Sequence, residues 1–398
     1  MAPINILIVD DSVVYRKILK EVVDTVDNTS VVATVSNGDL ALKRLAVANV
    51  DMVLCDVEMP VMGGIETLKA IQDSYPDKGV VMVSSPQKHN AGIVLEALEL
   101  GALDFIVKPD SDNVQENKDY LKEQITRVIS VFTSRQVKST RPAKSTPPST
   151  VGGTARTAPR ESAPVSRTPI RTALRNPTGV ISTPMSREIP RPVVKNNPIK
   201  IDVVVIGVST GGPNALAEVV PRFSGDLPVP ILLVQHMPPL FTASLADSLN
   251  KKSSLTVVEG IEGTEVKPGF IYIAPGGKHM TVSVPDGDGR RFLRMNMDPP
   301  ENSCRPSVDV LFRSAATSYR NNILSVVMTG MGADGRDGVA FIRNTGSCWV
   351  ITQSAETCTV YGMPAAVDNA GLSSEQVPLN QLANRIETII RLPRILSK

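Results

Sequence analysis

Five short, nearly unbroken apolar runs in the first 132 residues limit the fold more than any other feature of this chain: Ile4–Val9, Val31–Val35, Met52–Cys55, Val80–Val83 and Phe105–Val107. A strand with one wet face alternates apolar and polar side chains, whereas continuous runs of this length suit parallel strands covered on both faces. Helical patterns fall between and after them, at roughly 13–27, 38–48, 64–74, 90–100 and 117–132. This alternation predicts an α/β domain, a doubly wound five-stranded parallel sheet over residues 1–132. Such a sheet carries its working groups at the carboxyl ends of its strands.

The polar residues at those ends form a set. Asp10 and Asp11 follow the first run, Asp56 the third, Ser84 and Ser85 the fourth, and Lys108-Pro109 the fifth. Three carboxylates converging on one edge repel one another unless a cation neutralises them, and an oxygen-only cluster suits Mg²⁺. Solvated acids at strand ends would explain any one of these residues, but not the set together with its lysine.

Asp10-Asp11, Asp56-Val57-Glu58-Met59-Pro60, Ser84 and Lys108-Pro109 resemble the receiver domain of two-component response regulators, a flavodoxin-like fold. The resemblance implies that Asp56 accepts a phosphoryl group from a histidine kinase. Asp10, Asp11, Asp56 and the backbone carbonyl of Glu58 would hold Mg²⁺, and Ser84 and Lys108 would contact the phosphoryl oxygens. Phe105 stands at the family's switch aromatic; lacking a hydroxyl, it would have to switch by packing. A carboxylate attacks phosphorus only where metal and lysine screen both charges. The product adds about 1.5 to 2 negative charges at one loop edge.

Residues 133–198 hold 11 prolines, no aromatic residue, and 12 Lys+Arg against 2 Asp+Glu. Such a stretch cannot bury a core, and it reads as a disordered basic linker rich in Pro, Ser, Thr and Arg. As a flexible chain it would span about 45 Å root-mean-square, so the flanking domains can meet or part. Its arginines are dispersed among prolines, without interleaved aromatics or an amphipathic period, which argues against nucleic acid or a lipid surface as partner. Attraction to the acidic first domain, 12 Lys+Arg against 20 Asp+Glu, is as good an account.

Residues 199–398 alternate again: strand 202–207, helix from Pro213, strand 230–234, helix near 240–250, strand 323–328 and helix near 336–345. Gly269–Ala274 and Met280–Val284 flank Pro275-Gly276-Gly277-Lys278 and read as an antiparallel hairpin. After the first strand comes Gly207-Val208-Ser209-Thr210-Gly211-Gly212-Pro213. A Gly-x-Ser-x-Gly turn between strand and helix exposes a serine hydroxyl at a strand's carboxyl end, although glycine-rich turns of this kind also cradle phosphates. A serine nucleophile needs a base. His236, in Gln235-His236-Met237-Pro238, follows the next strand, while His279 beside Lys278 reads as a surface or substrate-facing imidazole. The strand ending at Met328 runs into Thr329-Gly330-Met331-Gly332-Ala333-Asp334, making Asp334 the candidate to orient the imidazole. Three turns after three strands thus deliver Ser, His and Asp, in an order that differs from the Ser, Asp, His of α/β-hydrolases.

These motifs, with Tyr272-Ile273-Ala274-Pro275-Gly276, Arg305-Pro306-Ser307-Val308-Asp309 and Tyr361-Gly362-Met363-Pro364, resemble the chemotaxis protein-glutamate methylesterases, the CheB family. The likeness covers both halves and their order, with only the connector outside it. It implies hydrolysis of glutamate γ-methyl esters on cytoplasmic chemoreceptor helices, release of methanol, and deamidation of receptor glutamines by the same acyl chemistry. Ser209 would attack, His236 would shuttle the proton, the Met331 amide would stabilise the oxyanion with Thr210 close by, and Arg305 is a candidate partner for receptor carboxylates. Ester hydrolysis would need no metal. The implied partners are methylated chemoreceptors and the kinase CheA; the enzyme would be a cytoplasmic monomer. No leader precedes the first strand, and no apolar run approaches the roughly 18 residues of a membrane span. Cys55, Cys304, Cys348 and Cys358 lack metal-site spacing and read as reduced structural thiols.

Overall fold

A computed structural model of the chain describes residues 3–139, 200–285, 289–320, 322–346 and 348–392. The first sheet is built from β1 (Ile4–Val9), β2 (Thr29–Val35), β3 (Met52–Asp56), β4 (Gly79–Ser84) and β5 (Asp104–Val107), interleaved with α1 (Val13–Val23), α2 (Gly38–Leu45), α3 (Gly64–Ser74), α4 (Lys88–Glu99) and α5 (Val114–Ser139). All its pairings are parallel, in the order β2-β1-β3-β4-β5. Every residue of β3, β4 and β5 is buried, as their continuous apolar runs require. The chain order reverses between β1 and β3, so the crevice beyond their carboxyl ends lies beside Asp10 and Asp56.

Helix α5 runs to Ser139, past the 132 boundary expected from composition. Val128, Val131 and Phe132 are still buried against the sheet, and the helix outlasts that apolar stripe. The remainder of the expected linker, residues 140–198, lies outside the described residues.

The second sheet is larger. In chain order come β6 (Val203–Val208), α6 (Gly212–Val219), β7 (Ile231–Gln235), α7 (Phe241–Asn250), β8 (Thr256–Glu259), β9 (Phe270–Ile273), β10 (His279–Ser283), β11 (Phe292–Asn296), α8 (Val308–Tyr319), β12 (Ile323–Val327), α9 (Arg336–Thr345), β13 (Cys348–Gln353), α10 (Met363–Asn369), β14 (Glu375–Val377) and α11 (Leu382–Arg391). Seven strands pair in parallel in the order β14-β13-β12-β6-β7-β9-β8. An antiparallel hairpin is present, but its strands differ from those expected. β10 pairs with β11, whereas β9 joins the main sheet between β7 and β8. Pro275-Gly276-Gly277-Lys278 is therefore a crossover between sheets. Gly276 packs so tightly on the backbone of Pro238 and Pro239 that a Cβ there would lie 2.3 Å from the Pro238 carbonyl carbon.

The two halves touch. Phe105 on β5 stacks on Phe241 at the start of α7, with ring centroids 5.1 Å apart and planes at 13°. Beside the stack, Lys252 Nζ meets Glu99 Oε1 at 2.6 Å, and Ser248 Oγ donates to the same oxygen at 3.3 Å.

Candidate active site

The order of the second sheet reverses at β6, with β7 on one side and β12 on the other. The turns after these three strands carry Ser209, His236 and Asp334, so the candidate triad sits at the switch-point crevice. The serine turn depends on its glycines. Gly211 takes φ +74°, and a Cβ on Gly207 would lie 2.3 Å from Val308 Cγ1, so β6 can approach α8 only without a side chain there. Ser209 and Thr210 are buried at 6% and 3% exposure. The Thr210 Oγ1 is buried without a hydrogen-bond partner, in a residue that borders the crevice.

His236 Nε2 donates to Asp334 Oδ2 at 2.8 Å. Asp334 sits at the amino end of α8, where it accepts hydrogen bonds from Val308 N (2.7 Å), Asp309 N (3.0 Å), Ser307 Oγ (2.9 Å) and Asn302 Nδ2 (3.0 Å). Burial works against its charge, but the imidazole and these amides win and hold the carboxyl well below the usual range. Burial also works against a charged His236; the bond to Asp334, with a smaller contribution from Cys304, outweighs it and pushes the imidazole up to about 9. Because Nε2 serves the aspartate, the nitrogen left to take a serine proton is Nδ1, the reverse of the usual arrangement in serine proteases. Among the described residues Ser209 Oγ makes no hydrogen bond to the ring. Cys304 Sγ occupies the Nδ1 edge instead, at 3.5 Å.

The remaining expected residues fall as follows. Met331 is 42% exposed at the mouth of the crevice. Arg305 lines it as well, yet its Nη1 donates to the Met297 and Asp298 carbonyls at 3.0 and 3.1 Å, which ties down its own loop. His279 is 1% exposed, not surface-facing; its Nδ1 accepts from Ser307 N and its Nε2 donates to the Pro299 carbonyl, both at 3.2 Å. Cys55 and Cys358 are buried, but Cys304 borders the crevice and is no mere core thiol.

Asn302 and Asp309 join the site without a role expected of them from the sequence. Asp309 Oδ1 accepts from Gly335 N at 3.0 Å, and Asn302 Nδ2 bridges Asp309 and Asp334. Burial, followed by the charge of Asp334, raises the Asp309 carboxyl to about 7. The motif Arg305-Pro306-Ser307-Val308-Asp309 was the available signal, since it places an acid in the first turn of α8.

At the first sheet's edge, Lys108 Nζ lies 2.8 Å from Asp10 Oδ2 and 3.0 Å from Asp56 Oδ2. Asp10, Asp56, Ser84 and Lys108 are buried, whereas Asp11 and Glu58 are exposed. The Asp10, Asp11 and Asp56 carboxylates place oxygens within 4.8 Å of one another, a hard oxygen set that fits Mg²⁺. Burial raises the Asp56 carboxyl most; Lys108 opposes and Asp10 adds, leaving it at about 6. Ser84 Oγ donates to the Ser85 carbonyl at 3.2 Å.

The crevice over Ser209 and His236 encloses about 680 Å³, and Leu98, Phe105, Tyr120 and Arg127 of the first half form part of its wall. Among the described residues no helix is long and apolar enough to cross a membrane.

Fold and site together define a receiver domain coupled to an α/β domain of hydrolase type. Residues 6–117 match the response regulator receiver domain family, and residues 204–386 match the CheB methylesterase family. Among curated relatives, the protein-glutamate methylesterase/protein-glutamine glutaminase of Desulfotalea psychrophila is 39% identical over 98% of this chain and 100% of its own length. That of Trichodesmium erythraeum is 37% identical over 97% and 99%. A crystal structure of the Thermotoga maritima CheB methylesterase catalytic domain shares 39% identity over 48% of this chain and 100% of that one, with a TM-score of 0.46. The chain belongs to the protein-glutamate methylesterase/protein-glutamine glutaminase family.

Proposed function

We propose that this protein is a cytoplasmic, monomeric hydrolase of glutamate γ-methyl esters on chemoreceptors, switched by phosphorylation of Asp56. The domains would be a receiver over 1–132, a linker over 133–198 and a catalytic domain over 199–398. The carrying observation is the His236–Asp334 pair at 2.8 Å in the crevice that also holds Ser209. Ser209 Oγ attacks the ester carbonyl while His236 Nδ1 takes its proton, and Asp334 steadies the imidazolium through Nε2. The oxyanion meets the Met331 amide, with Thr210 Oγ1 free beside it. His236 then returns the proton to methanol, and water frees the acyl-enzyme by the same route. Receptor glutamine is deamidated likewise, with ammonia leaving in place of methanol.

Asp10, Asp11, Asp56 and the Glu58 carbonyl would hold Mg²⁺, which screens the attacking carboxylate when bound. Lys108 and Ser84 face the incoming phosphoryl oxygens, and the donor is the kinase CheA. In the unphosphorylated protein the Phe105 face narrows access to Ser209, and phosphorylation loosens it. Arg305 is better employed holding its loop than meeting receptor carboxylates. The test is methanol release from methylated receptor membranes, by wild type and Ser209→Ala, with and without a small-molecule phosphodonor. Full activity in Ser209→Ala would refute the mechanism; a rate indifferent to the phosphodonor would refute the regulation.

A further inference from the structure

We propose that His236 Nδ1 and Cys304 Sγ form a reversible binding site for a thiophilic divalent cation of the zinc class, which competes with catalysis for the base. The inference rests on the esterase reading only for its inhibitory consequence. Three observations carry it.

The first is distance. Zinc takes thiolate sulfur at about 2.3 Å and imidazole nitrogen at about 2.0–2.1 Å in tetrahedral geometry, so the sulfur and nitrogen of such a site stand about 3.6 Å apart. Sγ and Nδ1 are 3.5 Å apart here. The second is the far side of the ring. A metal-binding histidine almost always gives its other N–H to a carboxylate, which fixes the tautomer and raises basicity. The Nε2–Asp334 bond at 2.8 Å does this, and His236, Cys304 and Asp334 each offer one potential ligand atom within 4.8 Å of the others. The lone pair prepared for the serine proton is equally prepared for a metal.

The third is preorganisation. Cys304 follows a tight reversal in which Asn302 and Ser303 take φ +52° and +60°, closed by Glu301 and Cys304 exchanging backbone hydrogen bonds at 3.1 and 2.9 Å. Arg313 Nη1 clamps Glu301 at 2.7 Å, and Asn302 is tied to Asp309 and Asp334. The thiol is thus held at the crevice wall, where a cation can reach it. Binding replaces the S–H proton, which leaves to solvent. The cation then occupies the Nδ1 lone pair, and water completes its coordination. Mg²⁺, which prefers oxygen, should not bind there.

The full-length protein is titrated with Co²⁺ as a spectroscopic stand-in, and with Zn²⁺ during ester hydrolysis, for wild type, Cys304→Ser and Cys304→Ala. Each variant's inhibition is scored against its own metal-free rate, and its fold is checked by thermal melting. Expected are a cobalt–thiolate charge-transfer band in wild type that either folded variant lacks, and zinc inhibition reversed by chelator. Because altering even an outer-shell partner costs about 10- to 100-fold in metal affinity, loss of the thiol should raise the half-inhibiting zinc concentration at least about tenfold. The same band, or the same zinc sensitivity, in the folded Cys304 variants would overturn the site and leave the esterase reading standing. A thiolate band without any ester hydrolysis would uphold the site and overturn that reading.

Discussion

Phe105→Ala should release the esterase without phosphorylation. Phe105 is 8% exposed, and its ring lies flat on Phe241, whose helix begins five residues after His236. Fully burying a phenylalanine contributes about 1.5–3 kcal/mol, and a stacked pair adds about 0.5–1.5 kcal/mol beyond the buried area. Part of that burial lies within β5's own domain, so the interface loses about 2–3 kcal/mol on truncation. At about 1.4 kcal/mol per factor of ten, the docked-to-open ratio falls about 30- to 150-fold. Phe105→Leu keeps most of the apolar area and loses chiefly the stack, so it should shift the ratio only about two- to tenfold. The assay is initial methanol release from methylated receptor membranes, unphosphorylated and after a phosphodonor. Basal rates should rank wild type, then Leu, then Ala, with the Ala rate approaching that of phosphorylated wild type and gaining little from the phosphodonor. Folded Phe105→Ala with wild-type basal rate and full stimulation would refute the interface as the switch.

Glu99→Lys sets two lysines against each other at the rim. Lys252 and Glu99 are 40% and 37% exposed, so the pair contributes at most about 1 kcal/mol; basal activity should rise no more than about fivefold, and the Glu99→Lys/Lys252→Glu double variant should restore repression in a double-mutant cycle. Asp334→Asn leaves His236 with the wrong tautomer, and the comparable loss in serine proteases predicts a fall in kcat of about 10⁴, read in single-turnover assays. The pH profile follows from His236. Only the neutral ring accepts the serine proton, so kcat/KM should climb with pH through the imidazole's titration near 9, a limb well above the ordinary 6.5 of free histidine. In Asp334→Asn, with the raising partner gone, the limb should move down; an unmoved limb would mean that another group limits the rate.

The inner strands were legible because they are buried on both faces, leaving the apolar runs uninterrupted: β1 matches its expected bounds residue for residue, and β6, β7 and β12 lie within one residue of theirs. Ser209, His236 and Asp334 could be grouped from the sequence as candidates because a parallel sheet sends residues at strand ends to one edge, and the structure brings them to one crevice. The hairpin pairing was not legible. β9 and β10 are separated by a loop that reads as a turn, and only the pairing of β9 with β7 and β8, and of β10 with β11, makes it a crossover between sheets. The neighbours of Asp334 escaped notice for a similar reason. Ser307 reaches Asp334 through its hydroxyl, Asn302 through its side-chain amide and Asp309 through its backbone N–H, a convergence that no spacing along the chain announces. Cys304 stands nearly seventy residues from His236, and only the fold of the loop at 301–305 brings its thiol to the ring.

Charge at Asp56 is separated from Ser209 by the two sheet edges and a long connector, and the contacts between the halves offer a route that does not use the connector at all. Lys108 is held by Asp10 and Asp56 together, and it follows Phe105 by three residues at the end of the same strand, its backbone N–H bonded to the Ser84 carbonyl at 2.7 Å. Under the proposed regulation, a phosphoryl group on Asp56 would add charge and acceptors where Lys108 now balances two carboxylates, and would draw β5's end into a new set of contacts. Phe105 has no hydroxyl with which to respond, and its stack on Phe241 is therefore the contact that must change. Phe241 opens the helix behind the His236 turn, while Gly276 pins that turn from the other side through Pro238 and Pro239. A shift confined to the ring pair would thus open the crevice wall without dislodging His236 from Asp334. On this route the Phe105–Phe241 ring pair is the contact that the proposed switch would act through.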